Sequence, residues 1–471
     1  MLSGFSKISG IRRSLDRHIR TAGACVALCL VALTSLTMVG PAQATTLQNT
    51  DALAQVLYRF EDRPLILGRY GSASDFQAHL FVAAARCTGA GPSQYGKADG
   101  IVGAKTRQAI LDLWPCLDRD VKSAIGMGDT GGNSDGNTGA ITVGLWKLLM
   151  PADQPYPDAI ERANHLTFAL EGTDYDAIQF NFCQSRNPRS GKRYLEGDPW
   201  CYTNDPNAYL TWGPRGATAG AGSEIQQIVF AAERANPGLL KAVFGPHTDA
   251  MHRLALGTNQ SAFDILCAIW IDPKRRVDFT ARFAKYGALA EVQHAYRRVY
   301  DAANADGGKI ARFFKVYAAL KPVIRRDPTE IDLAFFIDRA THGMAPPGDV
   351  SDLATKMVNF ASRTRKVPSP GTLRRQLAAW LPSQHKYNDR IARDAIFLID
   401  DPEIILSDTH RRIWQQRSGL RASDFGLSDD RTIADYPVAA PTGFEQIERF
   451  YTVLPEDKRA CPANVRKSRR P

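Results

Sequence analysis

The sequence lacks the motifs that mark the common metal and nucleotide chemistries. It has no His-Glu-x-x-His motif and no Cys-x-x-Cys pair, so a zinc site has no support. It also has no Gly-x-x-x-x-Gly-Lys-Ser/Thr loop of the kind that binds phosphates. Calcium, magnesium and organic cofactors have no motif, and basic residues do not alternate with aromatic ones along a stripe. We therefore predict no cofactor, no metal and no nucleic-acid partner.

The first 44 residues have the pattern of a signal peptide. Five basic residues precede an apolar stretch over residues 24–39, and Ala42, Gln43 and Ala44 suit a signal peptidase. The stretch is short for a membrane span, which needs about 20 residues. We expect residues 1–44 to be removed, leaving a periplasmic or secreted protein with no stable membrane span. Five Lys or Arg and one Asp leave with them, which takes +4 from the formal +10 and leaves about +6.

Six cysteines remain after the signal, an even number that favours disulfides in an oxidising compartment. They are Cys87, Cys116, Cys183, Cys201, Cys267 and Cys461. Of the possible connectivities, local pairing of Cys87 with Cys116 and of Cys183 with Cys201 is the simplest. A bond between Cys267 and Cys461 would tie down the basic tail over residues 441–471, which is otherwise expected to fray.

A polar, glycine-rich stretch over residues 126–139 has no apolar periodicity and is typical of a flexible linker. We place the linker at residues 119–141, between a small unit over residues 50–118 and a large helical unit over residues 142–440. The predicted fold class is mainly α. It comprises a small three-helix N-terminal domain and a large helical domain with a small β-hairpin.

The small unit carries a fairly specific motif. Asp99 and Gly100 make a turn, Gly103 permits a bend, and Thr106 opens a helix. This stretch resembles the peptidoglycan-binding-like domain of bacterial wall hydrolases, from which it departs in its two cysteines and its long first segment. The resemblance implies that these four residues contribute to wall binding. The alternative is a helical folding unit without affinity for sugars.

The large unit contains an amphipathic helix that ends in an acid. Apolar residues recur at helical spacing over residues 157–170, Glu171 follows, and Gly172 stands where a helix C-terminal cap belongs. An anion at the negative end of a helix dipole is disfavoured. With Phe168 and Tyr175 available to desolvate it, we expect the pKa of Glu171 to be raised, as a general acid requires.

Two strand-like segments follow, over residues 175–182 and 208–212, and then a glycine-rich turn. Ser223 and Gln226 have the spacing of a capping box, so a helix is expected to begin there. Glu224 would lie in its first turn, where the dipole favours an anion. Tyr209 and Trp212 are candidate sugar-facing aromatics, and Thr218 could position a water or a hydroxyl.

A helix that ends in Glu, followed by a hairpin with Thr and Gly inside a helical domain, resembles the lysozyme superfamily. That group includes lysozymes, lytic transglycosylases and chitosanases, and the resemblance covers roughly residues 158–226. It implies that Glu171 is the general acid. About thirty residues are inserted between this Glu and the hairpin Thr, so Glu224 and Asp174 both stay open as the second carboxylate.

The predicted function is an exported peptidoglycan hydrolase that cleaves β-1,4 glycosidic bonds, with Glu171 as the acid. Chitosan or chitin is the alternative substrate, and a lytic transglycosylase would need Glu171 alone. A hypothesis of another class is a non-catalytic scaffold bound to the cell wall. The partner expected in each case is peptidoglycan or a related amino-sugar polymer, and the oligomeric state stays open.

Overall fold

The structure is a computed structural model, and the fold is mainly α, as predicted. The described residues are 50–60, 63–125, 139–183, 190–192, 194–195, 198, 200–203, 208–220, 222–305, 307–342, 344–381, 386–437, 442–444 and 454–462. The predicted signal peptide and most of the predicted tail lie outside them.

The N-terminal part alternates short strands with helices. Its elements are α1 (Thr50–Ala54), β1 (Val56–Arg59), β2 (Leu65–Ile66), α2 (Ser72–Thr88), β3 (Ile101–Val102), α3 (Ala104–Leu113) and α4 (Arg119–Ala124). Strands β2 and β3 pair antiparallel, and helices α2 and α3 pack together.

The chain continues into β4 (Ala140–Thr142) and α5 (Val143–Leu149), and β4 pairs antiparallel with β1. Phe76 of α2 stacks on Trp146 of α5, with ring centroids 4.9 Å apart. The predicted linker over residues 119–141 is therefore too wide, because α4 and β4 lie inside its bounds. Residues 126–138 of it lie outside the described residues, and the other domain bounds stay predictions.

The middle of the chain contains the predicted helix and the small sheet. Helix α6 (Ala159–Glu171) is followed by β5 (Ile178–Phe180), β6 (Trp200–Tyr202), β7 (Leu210–Trp212) and β8 (Ala217–Ala219). Strands β5, β7 and β8 form one antiparallel sheet in that order. Its β7–β8 hairpin lies where the sequence predicted one, and β6 pairs instead with β9 (Ala460–Pro462).

Helices make up most of the remainder. They are α7 (Glu224–Ala235), α8 (Leu239–Phe244), α9 (Thr248–Leu256), α10 (Asn259–Trp270), α11 (Pro273–Gly287), α12 (Ala290–Asn304), α13 (Lys309–Ile324), α14 (Glu330–Thr341), α15 (Ser351–Arg363), α16 (Pro370–Trp380), α17 (Tyr387–Ile396) and α18 (Asp408–Arg417). Apolar residues keep helical spacing over residues 277–303, but two helices, α11 and α12, cover this stretch. Helix α11 ends at Gly287, where the backbone packs so closely on the carbonyl of Tyr175 that a Cβ would overlap it.

Two apolar cores lie side by side. The first joins the N-terminal part to helices α13–α17, and the second joins the small sheet to helices α7–α12. Helix α6 contributes Ala163 and Leu166 to the first core and Phe168 to the second. This helix therefore lies between the two cores, and its remaining faces are available for polar side chains.

Three disulfides join Cys87 to Cys116, Cys183 to Cys201 and Cys267 to Cys461. The first two are the simplest local pairings, and the third is the bond that the sequence left open. The last one, together with the pairing of β9 on β6, anchors the described end of the tail. Within the described ranges, no helix combines the length and the apolar character that crossing a membrane requires.

Candidate functional site

The cavity that most resembles a ligand site lies between helices α6 and α12 and has a volume of about 300 Å³. Glu161, His165 and Phe168 line it from α6, and Asp158 lines it from the N-cap position of that helix. Their spacing of three and four residues places them along one face of the helix. Asp158 begins the helix by accepting a hydrogen bond from the backbone N–H of Glu161 at 2.8 Å.

Helix α12 forms the opposite wall with a similar pattern. Gln293, Tyr296, Arg297 and Asp301 face the cavity at spacings of three, one and four residues. Tyr296 also packs in the second core, which fixes the rotation of the helix. The cavity thus brings together carboxylates, cations and aromatic rings from two helices that are distant in sequence.

Asp301 is the acid on the α12 side. Burial raises its pKa, and the nearby charge of Arg215 only partly opposes that effect. The hydroxyl of Tyr436 donates a hydrogen bond to its Oδ1 at 3.1 Å, and Tyr436 itself lines the cavity. A carboxyl group with a raised pKa keeps its proton to a higher pH than an exposed one, which is the property of a general acid.

Glu161 is the half-buried acid on the α6 side. The hydroxyl of Ser72 donates a hydrogen bond to its Oε1 at 2.5 Å, and His165 Nε2 lies 4.0 Å from the same oxygen. Burial lowers the pKa of His165, whose Nδ1 is 2.7 Å from the hydroxyl of Tyr58. These neighbours therefore hold the carboxylate of Glu161 in place. They leave part of its capacity to accept hydrogen bonds available to a ligand in the cavity.

Glu171 does not line this cavity. Helix α6 ends at this residue, and Gly172 adopts the left-handed cap conformation, as the sequence predicted. Its Oε1, however, is 2.8 Å from His342 Nε2 and accepts a hydrogen bond from Arg393 at 2.6 Å. Arg393 also pairs with Asp338. We call these four residues the Glu171 cluster.

The expected raised pKa of Glu171 is wrong. Burial acts in that direction, but the hydrogen bond from His342 and the charge of Arg393 outweigh it and lower the pKa to about 2. The same contact with Glu171 and the charge of Asp338 overcome burial and raise the pKa of His342. In this arrangement Glu171 is a charged ion-pair partner, not a stored proton.

The two candidates for the second carboxylate also lie outside the cavity lining. Glu224 opens α7, and Thr218 donates a hydrogen bond to it at 2.6 Å. The predicted capping box is wrong, because Ser223 has a left-handed backbone with φ 58° and makes no side-chain cap. Burial raises the pKa of Asp174, whose Oδ2 accepts a hydrogen bond from the backbone N–H of Arg69.

The two aromatics predicted to face a sugar are core residues. Tyr209 and Trp212 are 0% exposed, and both belong to the second core. Trp212 donates its indole N–H to the carbonyl of Tyr175 at 2.5 Å and packs edge-on against Phe283.

The residues predicted to bind the wall mostly build the N-terminal unit. Gly100, with φ 71°, lies against the carbonyl of Gly68, where a Cβ would overlap the oxygen. Thr106 is fully buried, and Gly103 is also buried. Of the four, Asp99 is exposed, and it accepts a hydrogen bond from the N–H of Ile101 at 3.0 Å. The motif therefore forms a turn around a buried centre.

Helix α6, which the sequence singled out, lines the cavity through its Asp158–Phe168 face and not through Glu171. The spacing of Asp158, Glu161 and His165 along one face of α6 was a usable signal, as was that of Arg297 and Asp301 on α12. Nothing in the sequence shows that these two faces meet, because the contact is tertiary.

Comparison of the chain with protein-family models, curated proteins and solved structures finds no match.

Proposed function

We propose that this protein is an exported glycoside hydrolase that cleaves β-1,4 bonds of peptidoglycan in the cavity between α6 and α12, with Asp301 as the general acid. The observation that carries the proposal is the half-buried carboxyl of Asp301, with its raised pKa, in a cavity that also contains Glu161 and Asp158. Glycosidases divide acid and base or nucleophile roles between two carboxyl groups in different environments.

Each group has a distinct role in this reaction. Asp301 protonates the oxygen that leaves as the glycosidic bond breaks, and the hydroxyl of Tyr436 orients it. Glu161, fixed by Ser72, lies on the facing helix, where it can stabilise the positive charge that develops on the sugar or activate water.

The size of the site supports a polymer as substrate. The cavity lies at the lower end of the range for ligand pockets, which is roughly 300–1,000 Å³. A second cavity of about 360 Å³, lined by Phe314, Lys315 and Asp435 among others, shares Tyr436 with the first. Two adjoining cavities suit two successive rings of a chain.

The wall as the site of action is supported by the sequence. The signal-like start, the resemblance of residues 97–110 to wall-binding domains and the three disulfides fit an exported protein. Chitosan and chitin stay as alternative substrates, because they share the β-1,4 amino-sugar backbone. A lytic transglycosylase would use the acid without the second carboxylate.

The test compares the wild type with Asp301→Asn and Glu171→Gln on purified peptidoglycan, chitosan and chitin. We expect Asp301→Asn to lower kcat roughly 100- to 10,000-fold, the usual contribution of a general acid. The control variant Glu171→Gln should keep most of its kcat at pH 6. The activity of the wild type should fall as pH rises through the raised pKa of Asp301.

Each outcome assigns a different function. Loss of activity in Glu171→Gln alone would return the acid role to the helix end. Equal turnover by the wild type and Asp301→Asn would exclude the mechanism proposed here. No cleavage of any polymer by the wild type, with binding retained, would favour the scaffold. Mass spectrometry of the fragments distinguishes hydrolysis, which leaves reducing ends, from transglycosylation, which leaves anhydro ends.

A further inference from the structure

Arg215 is a buried arginine in the turn between β7 and β8, and it lines the α6–α12 cavity. Its residue is 7% exposed. Its backbone N–H donates to the hydroxyl of Tyr296 at 3.0 Å, and its carbonyl accepts from the hydroxyl of Tyr300 at 3.2 Å. The guanidinium carbon lies 4.3 Å from the centroid of the Tyr300 ring. The main chain and the stacking together fix the plane of the guanidinium.

This fixed guanidinium has no acceptor in the described part of the chain. Its Nε is buried without a hydrogen-bond partner, and no ion pair forms with Asp301, although both residues line the same cavity. A buried charged donor left without an acceptor costs more free energy than a neutral one. No carboxyl group among the described residues pairs with the guanidinium to remove that cost, so an acceptor from outside the chain would be stabilised strongly.

Two more residues that line the cavity can form a hydrogen bond or an ion pair with a ligand. The side-chain oxygen of Asn164 is buried without a hydrogen-bond donor, and Asn164 lines the cavity. Arg297, which is exposed, forms no ion pair with any described acid. The cavity thus offers two cations to an anion and an amide oxygen to a hydroxyl or amide N–H.

We propose that the cavity recognises a sugar ring that carries a free carboxylate, with the carboxylate held side-on by Arg215. The planar fork of a guanidinium matches a carboxylate with two parallel hydrogen bonds. Arg297 adds charge, and Asn164 accepts a hydrogen bond from a ring substituent. That the ligand is a sugar rests on the proposed function. The proposal makes that function more specific, because the ring of the polymer that binds in the cavity is acidic and not neutral.

Two matched pairs of sugars distinguish the two positions at which such a carboxylate is attached to a sugar ring. D-glucuronate differs from D-glucose only in its carboxylate at C6. N-acetylmuramate differs from N-acetylglucosamine by a lactyl ether that bears a carboxylate. Isothermal titration of the full mature chain with all four gives the preference for the acid and the position of the carboxylate on the ring.

We expect at least one acid to bind the wild type roughly 10-fold or more tightly than its neutral partner, as a charged hydrogen-bond pair implies. Arg215→Gln should abolish that preference and leave the affinity for the neutral sugar unchanged. Arg215→Lys keeps the charge without the fork and should retain only part of it. The control Arg282→Gln, which alters an arginine bonded to Asp278 and to the carbonyl of Val243, should behave as wild type.

The inference is overturned if the wild type binds each acid no more tightly than its neutral partner, or if Arg215→Gln keeps the preference. The backbone bonds of residue 215 do not depend on its side chain, so the variant should fold. If it does not, the lysine variant gives the same decision. Titration and turnover of the wild type separate the two proposals: preference for the acid without cleavage of any polymer supports the acidic ligand alone, and cleavage without that preference supports hydrolysis alone.

Discussion

The Glu171 cluster predicts a stability effect that depends on pH in a defined way. Replacing Glu171 with Gln removes the ion pairs with His342 and Arg393 while keeping the size of the side chain. A pKa lowered from 4.5 to about 2 corresponds, at about 1.36 kcal/mol per pH unit, to roughly 3 kcal/mol of folding free energy. Because the carboxylate is 26% exposed, solvent screens part of this, and we expect a loss of about 2–3 kcal/mol.

The sign of the pH dependence follows from both partners. The folded-state pKa of Glu171 is lowered, so its contribution is complete above pH 4.5 and is lost as pH falls towards 2. The folded-state pKa of His342 is raised, so its contribution is complete below pH 6.5 and is lost as pH rises through the folded value. The difference between wild type and variant should therefore be largest between about pH 4.5 and 6.5.

Urea unfolding of both proteins at pH 2.5, 5.5 and 9, followed by tryptophan fluorescence, measures this difference. Glu403→Gln is the matched control, because Glu403 forms an ion pair with Lys366 at 2.6 Å on the exposed surface and should matter much less. A difference at pH 5.5 no larger than that at pH 2.5 would refute the ion-pair account. Greater stability of the variant at pH 5.5 would instead support the stored-proton hypothesis.

Two further predictions address residues given functional roles from sequence. Gly100→Ala should destabilise the protein by more than Gly172→Ala, because the first Cβ meets the carbonyl of Gly68 and the second meets nothing within 4 Å. Both pay about 1–2 kcal/mol for a left-handed backbone, so thermal unfolding that ranks the two equally would contradict the close contact. Trp212→Phe should lower the free energy of unfolding by about 2–3 kcal/mol through lost packing and the unpaired carbonyl of Tyr175. It should leave the affinity for sugars unchanged. If Trp212 were a sugar platform, the substitution would instead lower that affinity and leave the free energy of unfolding unchanged.

Local signals predicted much of the fold. The end of α6 at Glu171 and the left-handed Gly172 follow from residues close in sequence, and the structure confirms them. The hairpin and the two local disulfides were predictable for the same reason, since turns and short-range pairing are encoded within short segments, whereas the bond from Cys267 to Cys461 spans 194 residues. At Gly287, where α11 ends, the backbone lies against the distant carbonyl of Tyr175, a tertiary contact that no local pattern shows.

The candidate site could be predicted only in part, because its electrostatics are tertiary. The local environment of Glu171, a helix C-terminus beside aromatic residues, pointed to a raised pKa. The hydrogen bond from His342 and the charge of Arg393, both distant along the chain, reverse that direction. The dipole effect of a helix end is roughly 0.3–1 kcal/mol, smaller than a direct hydrogen-bonded ion pair in a half-buried position. No local pattern shows which distant cation will approach.

Helix α6 links the cavity to the Glu171 cluster. The helix lies between two cores, and its Asp158–Phe168 face forms one wall of the cavity, while the Glu171 cluster ties its end to α14 and α17. A shift of α6 along its axis would move Glu161 relative to Asp301, which is carried by a different helix. Glu171 is therefore expected to act as a positioning residue. Loss of Glu171 should raise KM, and the pH profile of kcat should still follow the titration of Asp301. If Glu171 were instead the proton donor, its loss would lower kcat and remove the acid-dependent limb of the profile.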